Sequence, residues 1–179
     1  MCSSDLLKIS GALDKFSGDY LQISEENVSI DKSNAFIDRG VNKKTKILEN
    51  GEYEITLEIK RTQNRPKSLE YIEPSNGTLT YLIKENRSDI RLAIPKGSVI
   101  INDQSTTPLQ TVGNEGAVDI YEFKSFLQPL QPANYTIKYK LPFRVALKDQ
   151  DTFSITSLVQ LQNGGWPFDF TQTLEVPNS

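Results

Sequence analysis

The sequence predicts an all-β protein, an antiparallel β-sandwich with one short helix at its N-terminus, and three observations predict it. Apolar and polar residues alternate with a period of two through many short runs, which is the spacing of strands half-buried on a second layer. Two pairs of runs flank Asn-Gly dipeptides, Asn50-Gly51 and Asn163-Gly164, a strong hairpin signal because both residues tolerate a positive φ. About eight to ten runs recur at roughly 10 to 15 residue spacing with no helical pattern between them. That argues for two packed sheets, immunoglobulin-like or related, over βαβ units.

The 179 residues suit one large β domain with a short appendage. At 37% hydrophobic and 24% charged residues, with a net charge of -3, the chain reads as soluble and globular. It shows no basic stripe for a nucleic acid and no apolar run long enough to span a bilayer. Histidine is absent, which excludes serine-histidine and cysteine-histidine mechanisms. The single cysteine, Cys2, excludes an internal disulfide framework. Met1-Cys2-Ser3-Ser4 has the look of a mature lipoprotein end, but no apolar segment precedes it, so a start other than the native one is the expectation.

Leu6, Ile9, Leu13 and Phe16 recur at three and four, with Ser3 or Ser4 as cap and Gly18 as stop. This predicts a helix over 3–17 inside an N-terminal helical or extended segment, 1–24, ahead of a sandwich domain, 25–179. Residues 31–40 are a polar stretch leading into a strand. Residues 41–48 and 52–60 form a hairpin in which Tyr53, Ile55, Leu57 and Ile59 face inward, while Lys43, Lys44 and Lys46 are expected on a solvated face. Residues 61–77, broken by Pro66 and Pro74, read as a surface excursion. Strands follow at 78–84, 90–94 and 99–101. The turn Pro95-Lys96-Gly97-Ser98 lies among them and lacks the glycine-rich arm of a phosphate loop.

Residues 102–116 are turn-rich, and the strand at 117–127 changes phase, for which a β-bulge near Ile120 is expected. After the prolines at 129 and 132 comes a strand carrying Tyr135, Ile137, Tyr139 and Leu141. The last stretch, Asp151 to Val176, reads as a hairpin turning at Asn163-Gly164, with Leu161 facing Trp166, Val159 facing Phe168 and Phe153 facing Leu174.

Few residues suggest chemistry. Asp149, Asp151, Asn102 and Asp103 have oxygen ligands for calcium, but turn formation accounts for them, and no metal or cofactor is expected. Glu25 and Glu26 read as exposed, without a partner to split their pKa values. Asn-x-Ser/Thr matches at Asn27, Asn76, Asn86 and Asn134 read as chance. Trp166 and Phe168, with Tyr71, are the candidate ligand contacts; Trp166, Phe168 and Phe170 form a sugar-stacking platform if their face is open, and core, the favoured reading, if the face of Phe153 to Leu161 covers it.

Four stretches also occur together in order: Asn27 through Arg39, Arg91 through Ser98, Tyr135 through Pro142, and Gln160 through Gly164. Their order resembles the C-terminal part of the bacterial domain of unknown function (DUF) 4012 family, over roughly residues 19–176. Where that family usually carries proline-glycine, this chain has Asn163-Gly164-Gly165. The resemblance implies an extracytoplasmic accessory domain of a cell-surface protein, reaching the membrane only through regions outside this chain, and it carries over no catalytic residue. The expectation is therefore a non-catalytic module that binds or spaces. It would present loops such as 61–77 and 102–116 to a protein or glycan of the cell envelope, with no nucleic-acid partner. A carbohydrate-binding module using Trp166 and neighbouring aromatics is the alternative, and part of an envelope enzyme the third reading.

Overall fold

A computed structural model describes residues 18–28, 33–64, 70–72, 79–81, 85–145, 155–161 and 168–176. The strands among them are β1 (Asp19–Asn27), β2 (Ile37–Ile47), β3 (Glu52–Gln63), β4 (Glu70–Ile72), β5 (Leu79–Tyr81), β6 (Asn86–Pro95), β7 (Val99–Gln104), β8 (Gln110–Glu115), β9 (Val118–Leu127), β10 (Pro132–Arg144), β11 (Ser157–Leu161) and β12 (Phe168–Glu175). They build two five-stranded sheets, ordered β11-β1-β6-β9-β8 and β12-β2-β3-β10-β7, and a separate ribbon of β4 and β5. The two large sheets pack face to face, so the predicted sandwich is the fold. The expected helix over 3–17 lies outside the described residues, and the expected division between residues 24 and 25 falls inside β1.

Alternation explains the strands and their facing. In β3, Tyr53, Ile55, Leu57 and Ile59 are buried against Leu21, Ile23, Ile90, Leu92 and Phe123 of the opposite sheet, while Glu54, Glu58 and Lys60 point out. The β2–β3 hairpin closes as expected at Asn50-Gly51. Gly51 has φ +78°, and a Cβ there would lie 2.2 Å from the Val145 carbonyl oxygen, so only glycine fits.

The terminal stretch differs from the expected hairpin. β11 pairs in parallel with β1, Leu21 beside Val159, and β12 pairs in parallel with β2, Val41 beside Phe170, so the two arms lie in opposite sheets. Ile155, Val159 and Phe170 of the predicted faces pack on the core, whereas Leu174 and Val176, expected on the same inward face as Phe170, are exposed at the end of the edge strand. Alternation fixes which side of a strand is buried and says nothing about which strand lies beside it. Both sheets are therefore mixed, antiparallel apart from one parallel pair at an edge.

Two further expectations are corrected. The phase change in β9 arises because both of its faces bury apolar groups. Tyr121 and Phe123 join the main core, while Val118 and Ile120 join Tyr20, Ala93 and Leu158 in a small cluster on the other face. β9 keeps unbroken register with β6, and the irregularity sits across the ladder in β8, between Thr111 and Gly113. The stretch 102–116, expected as a presenting loop, is largely strand, belonging to β7 and β8.

The registers also fix the ends of the sandwich. Lys43 of β2 touches Asp19 of β1, and Arg39 of β2 touches Glu25 of β1, so these strands run oppositely across the interior. β12 follows β2, with Gln172 beside Lys43 and Glu175 beside Lys46. The start of β1 and the finish of β12 therefore lie at one end, the near end. At the other, far end the chain passes from β1 to β2, from β3 to β6, from β9 to β10 and from β11 to β12.

Candidate functional site

The far end is held by a buried charged cluster that joins the sheets. In β1, Glu25 shares parity with the core residues Leu21 and Ile23 and so points inward. In β2 and β3, Arg39 and Arg61 share parity with Val41 and Ile59 and point at it from the other sheet. Arg39 donates to Glu25 from Nε at 2.7 Å and from Nη2 at 3.1 Å, and caps the Ile37 carbonyl from Nη1 at 2.7 Å. Arg61 also contacts Glu25, and it donates to Asn86 Oδ1 at 2.9 Å and to Ser125 Oγ. Ser88 Oγ donates to Glu25 at 3.0 Å, and Ser125 shares a 2.6 Å hydrogen bond with the Tyr135 hydroxyl.

The cluster reaches the loop that follows β1. Asn86 Nδ2 donates to Ser33 Oγ at 2.9 Å and to Asn34 Oδ1 at 2.7 Å, pinning the short 3-10 helix Ser33–Phe36. The motif stretch Asn27 to Arg39 thus ties a non-strand segment to the sandwich. Pro95 to Ser98 closes a tight turn through Ser98 N to Pro95 O at 3.0 Å, with Gly97 at φ +84°.

Burial alone raises the Glu25 carboxyl. The Arg39 hydrogen bond, the Arg61 and Arg39 charges and the Ser88 hydroxyl outweigh it and hold the group below its usual 4.5. A carboxyl depressed in the folded state stabilises the fold above its unfolded value and loses that contribution as pH falls through the folded one. Urea midpoints are therefore expected to fall steeply below pH 4.5, and Glu25→Gln is expected to flatten that acid limb. An equally steep limb in the variant contradicts the assignment.

A second buried pair ties the sheets at the near end. Lys43 of β2 and Asp19 of β1, both 0% exposed, are in contact, and Ser157 of β11 bonds to both. Lys43 was expected on a solvated face with Lys44 and Lys46, and Glu25 was expected to be exposed; both are corrected. Parity was the available signal: Lys43 is in phase with Val41 and Ile47, whereas Lys44 and Lys46 are not.

The outer face of the second sheet carries a shallow groove over Gly40, lined by Asn42, Glu58, Lys60, Asn134 and Asp169. Glu58 there accepts from Asn42 at 2.9 Å and from Lys44 at 2.8 Å, so these groups are satisfied by one another. Asp103 serves a turn, accepting from Ser105 N at 3.0 Å and from Leu109 N at 2.6 Å. Among the described residues no three of His, Cys, Asp and Glu are grouped to hold a metal. Asn86 is wholly buried and sits in the cluster, so its Asn-x-Ser match is no glycan acceptor.

The strands that flank the candidate contacts on the chain have their ends at the far end. Phe168 opens β12 beside Arg39, and Tyr71 lies in the β4–β5 ribbon on the path from β3 to β6. Trp166, between β11 and β12 on the chain, lies outside the described residues. At the same end the turn Gln128–Gln131, closed by a 3.1 Å backbone bond, has Pro129 second and Leu130 third. Leu130 is 57% exposed with φ +63°, the conformation a type II turn asks of glycine at that position. Leu130→Gly is expected to raise stability by up to about 1 kcal/mol, relief of left-handed strain exceeding the entropy cost of glycine. A fall in the urea midpoint contradicts it. Comparison of the chain with family models, with curated proteins and with solved structures gives no match.

Proposed function

We propose that this domain is a non-catalytic binding module of a bacterial cell-surface protein, held outside the membrane and presenting its far end to an envelope glycan. The observation that carries the reading is the division of labour between the two ends. β1 begins and β12 finishes at the near end, so flanking chain joins the domain there, whereas the long excursion between β3 and β6 leaves and returns at the far end. A spacer strung in series is better served by chain ends at opposite poles. A module held from one end and offering the other fits this topology.

Three features support the far end as the contact surface. The path from β3 to β6, which carries Tyr71, and the path from β11 to β12, which carries Trp166, both start and finish at strand ends there, Phe168 opens β12 beside Arg39, and aromatic faces stack on sugar rings. Val28 and Leu130 are exposed there, Leu130 in a backbone conformation that leucine rarely adopts. The Glu25–Arg39–Arg61 cluster lies directly beneath and fixes the strand ends, so surface loops stand on a rigid base. The resemblance to the DUF4012 tail agrees with a surface location.

A glycan array probed with the labelled protein, beside Trp166→Ala, Tyr71→Ala and the groove variant Lys60→Ala, tests this reading. Binding that Trp166→Ala or Tyr71→Ala abolishes, and Lys60→Ala leaves intact, is the expected result. Binding lost only in Lys60→Ala moves the site to the groove of the second sheet. No binding to any glycan overturns the proposal.

A further inference from the structure

The near-end contact of Lys43 with Asp19 carries an inference that stands apart from what the far end binds. Asp19 opens β1 in one sheet and Lys43 lies midway along β2 in the other, both 0% exposed, on inward faces they share with Leu21, Val41 and Leu57. Ser157 accepts from Lys43 Nζ at 2.7 Å and donates to Asp19 Oδ2 at 3.1 Å. The second carboxylate oxygen, Asp19 Oδ1, is buried without a hydrogen-bond partner, and so is the Tyr139 hydroxyl of β10. A buried ion pair repays its desolvation only when its remaining polar atoms are bonded, and here one carboxylate oxygen is not.

We propose that Lys43 and Asp19 are joined by an intramolecular amide bond, an isopeptide cross-link between the two sheets. A proton passes from the ammonium to the carboxylate, giving amine and acid. The amine lone pair then attacks Asp19 Cγ, the C–N bond forms, and the C–Oδ2 bond breaks. Ser157, bonded to both atoms, carries the nitrogen proton to the departing oxygen, which leaves as water. Ammonium and carboxylate thus become one neutral amide and one water, with no other reactant.

The product removes both buried charges and turns the orphaned Oδ1 into an amide carbonyl, which is cheaper to bury. Well-oriented groups react with effective molarities reaching about 10^5–10^8 M, and a contact held in a dry interior supplies that orientation. Burial, and then the Asp19 charge, push the Tyr139 hydroxyl well above its usual value, so a neutral hydroxyl shares this interior with the pair.

Intact-mass measurement of the purified, denatured chain beside its Lys43→Arg variant decides this, and it reads the same whether or not the variant folds. The expected result is a parent chain lighter than its sequence mass by one water, a variant at full sequence mass, and a digest in which the Lys43 and Asp19 peptides are joined. A parent chain at full sequence mass overturns the proposal. So does a water loss that persists in Lys43→Arg or maps to other residues.

Discussion

Replacing Arg61 with methionine is expected to destabilise the domain by about 3–5 kcal/mol, the usual cost of removing one partner from a buried ion pair. Arg61 is 1% exposed and is the member of the far-end cluster that reaches both Glu25 and the polar groups of β6 and β9. Methionine fills much of the same volume, so the loss isolates the charge and its hydrogen bonds from packing. Glu25 keeps Arg39 and Ser88, while Asn86, Ser88 and Ser125 each lose one buried, charge-assisted hydrogen bond and keep only their neutral partners. Arg61→Lys is expected to recover only part, because a point charge cannot fork toward Glu25 and Ser125 together. Urea denaturation measures all three proteins, and a midpoint for Arg61→Met within about 0.5 kcal/mol of the parent contradicts the cluster's role.

The near-end pair gives the second large effect. Lys43→Met alone strands the Asp19 carboxylate in the interior with the Ser157 hydroxyl bonded to it and no cation, among the described residues, in contact, an expected loss of about 3–5 kcal/mol. Asp19→Leu alone strands the ammonium and is expected to cost a similar amount. If the two residues form an ion pair, the double variant is expected to recover most of both losses, since a hydrophobic pair replaces buried charges at little cost. If they are covalently joined, the double variant also loses a cross-link that closes the β1–β2 loop, and it stays well below the parent. The double-mutant cycle therefore gives an energetic reading of the bond that is independent of mass.

Much of the fold was legible because it rests on local alternation. Tyr53, Ile55, Leu57 and Ile59 announce an inward face by themselves, and Asn50-Gly51 needs only its own backbone to close a hairpin. The neighbours of the last two strands were not legible. Parity makes Val159 and Phe170 core residues in either arrangement, and the choice between a hairpin and two parallel edge pairs depends on residues more than a hundred positions away. The phase change in β9 misled for a related reason, since a bulge and a strand buried on both faces leave the same pattern in a single chain.

The charged ties were visible in principle. Glu25, Arg39, Lys43 and Arg61 each fall in phase with the apolar residues of their strand, which a strictly amphipathic strand forbids. The habit of placing charge outside hid them, because a single strand does not reveal that an opposite charge waits across the interior. The same holds at the far end. Tyr71 and Trp166 are far apart on the chain, and only the strand order shows that the strands flanking them, β3 and β6 for one and β11 and β12 for the other, have those ends at one pole.

The finish of β12 at the near end, beside the start of β1, depends on β12 lying in parallel beside β2. Thr171 Oγ1 donates to Asn42 Oδ1 at 3.0 Å on the outer face, so these positions are direct neighbours across that ladder. A chain carrying Cys2→Ser, Asn42→Cys and Thr171→Cys is predicted to form an internal disulfide on mild oxidation with no loss of stability. The account is contradicted if those thiols stay free while Val159→Cys and Phe168→Cys, which face each other only in a terminal hairpin, close instead.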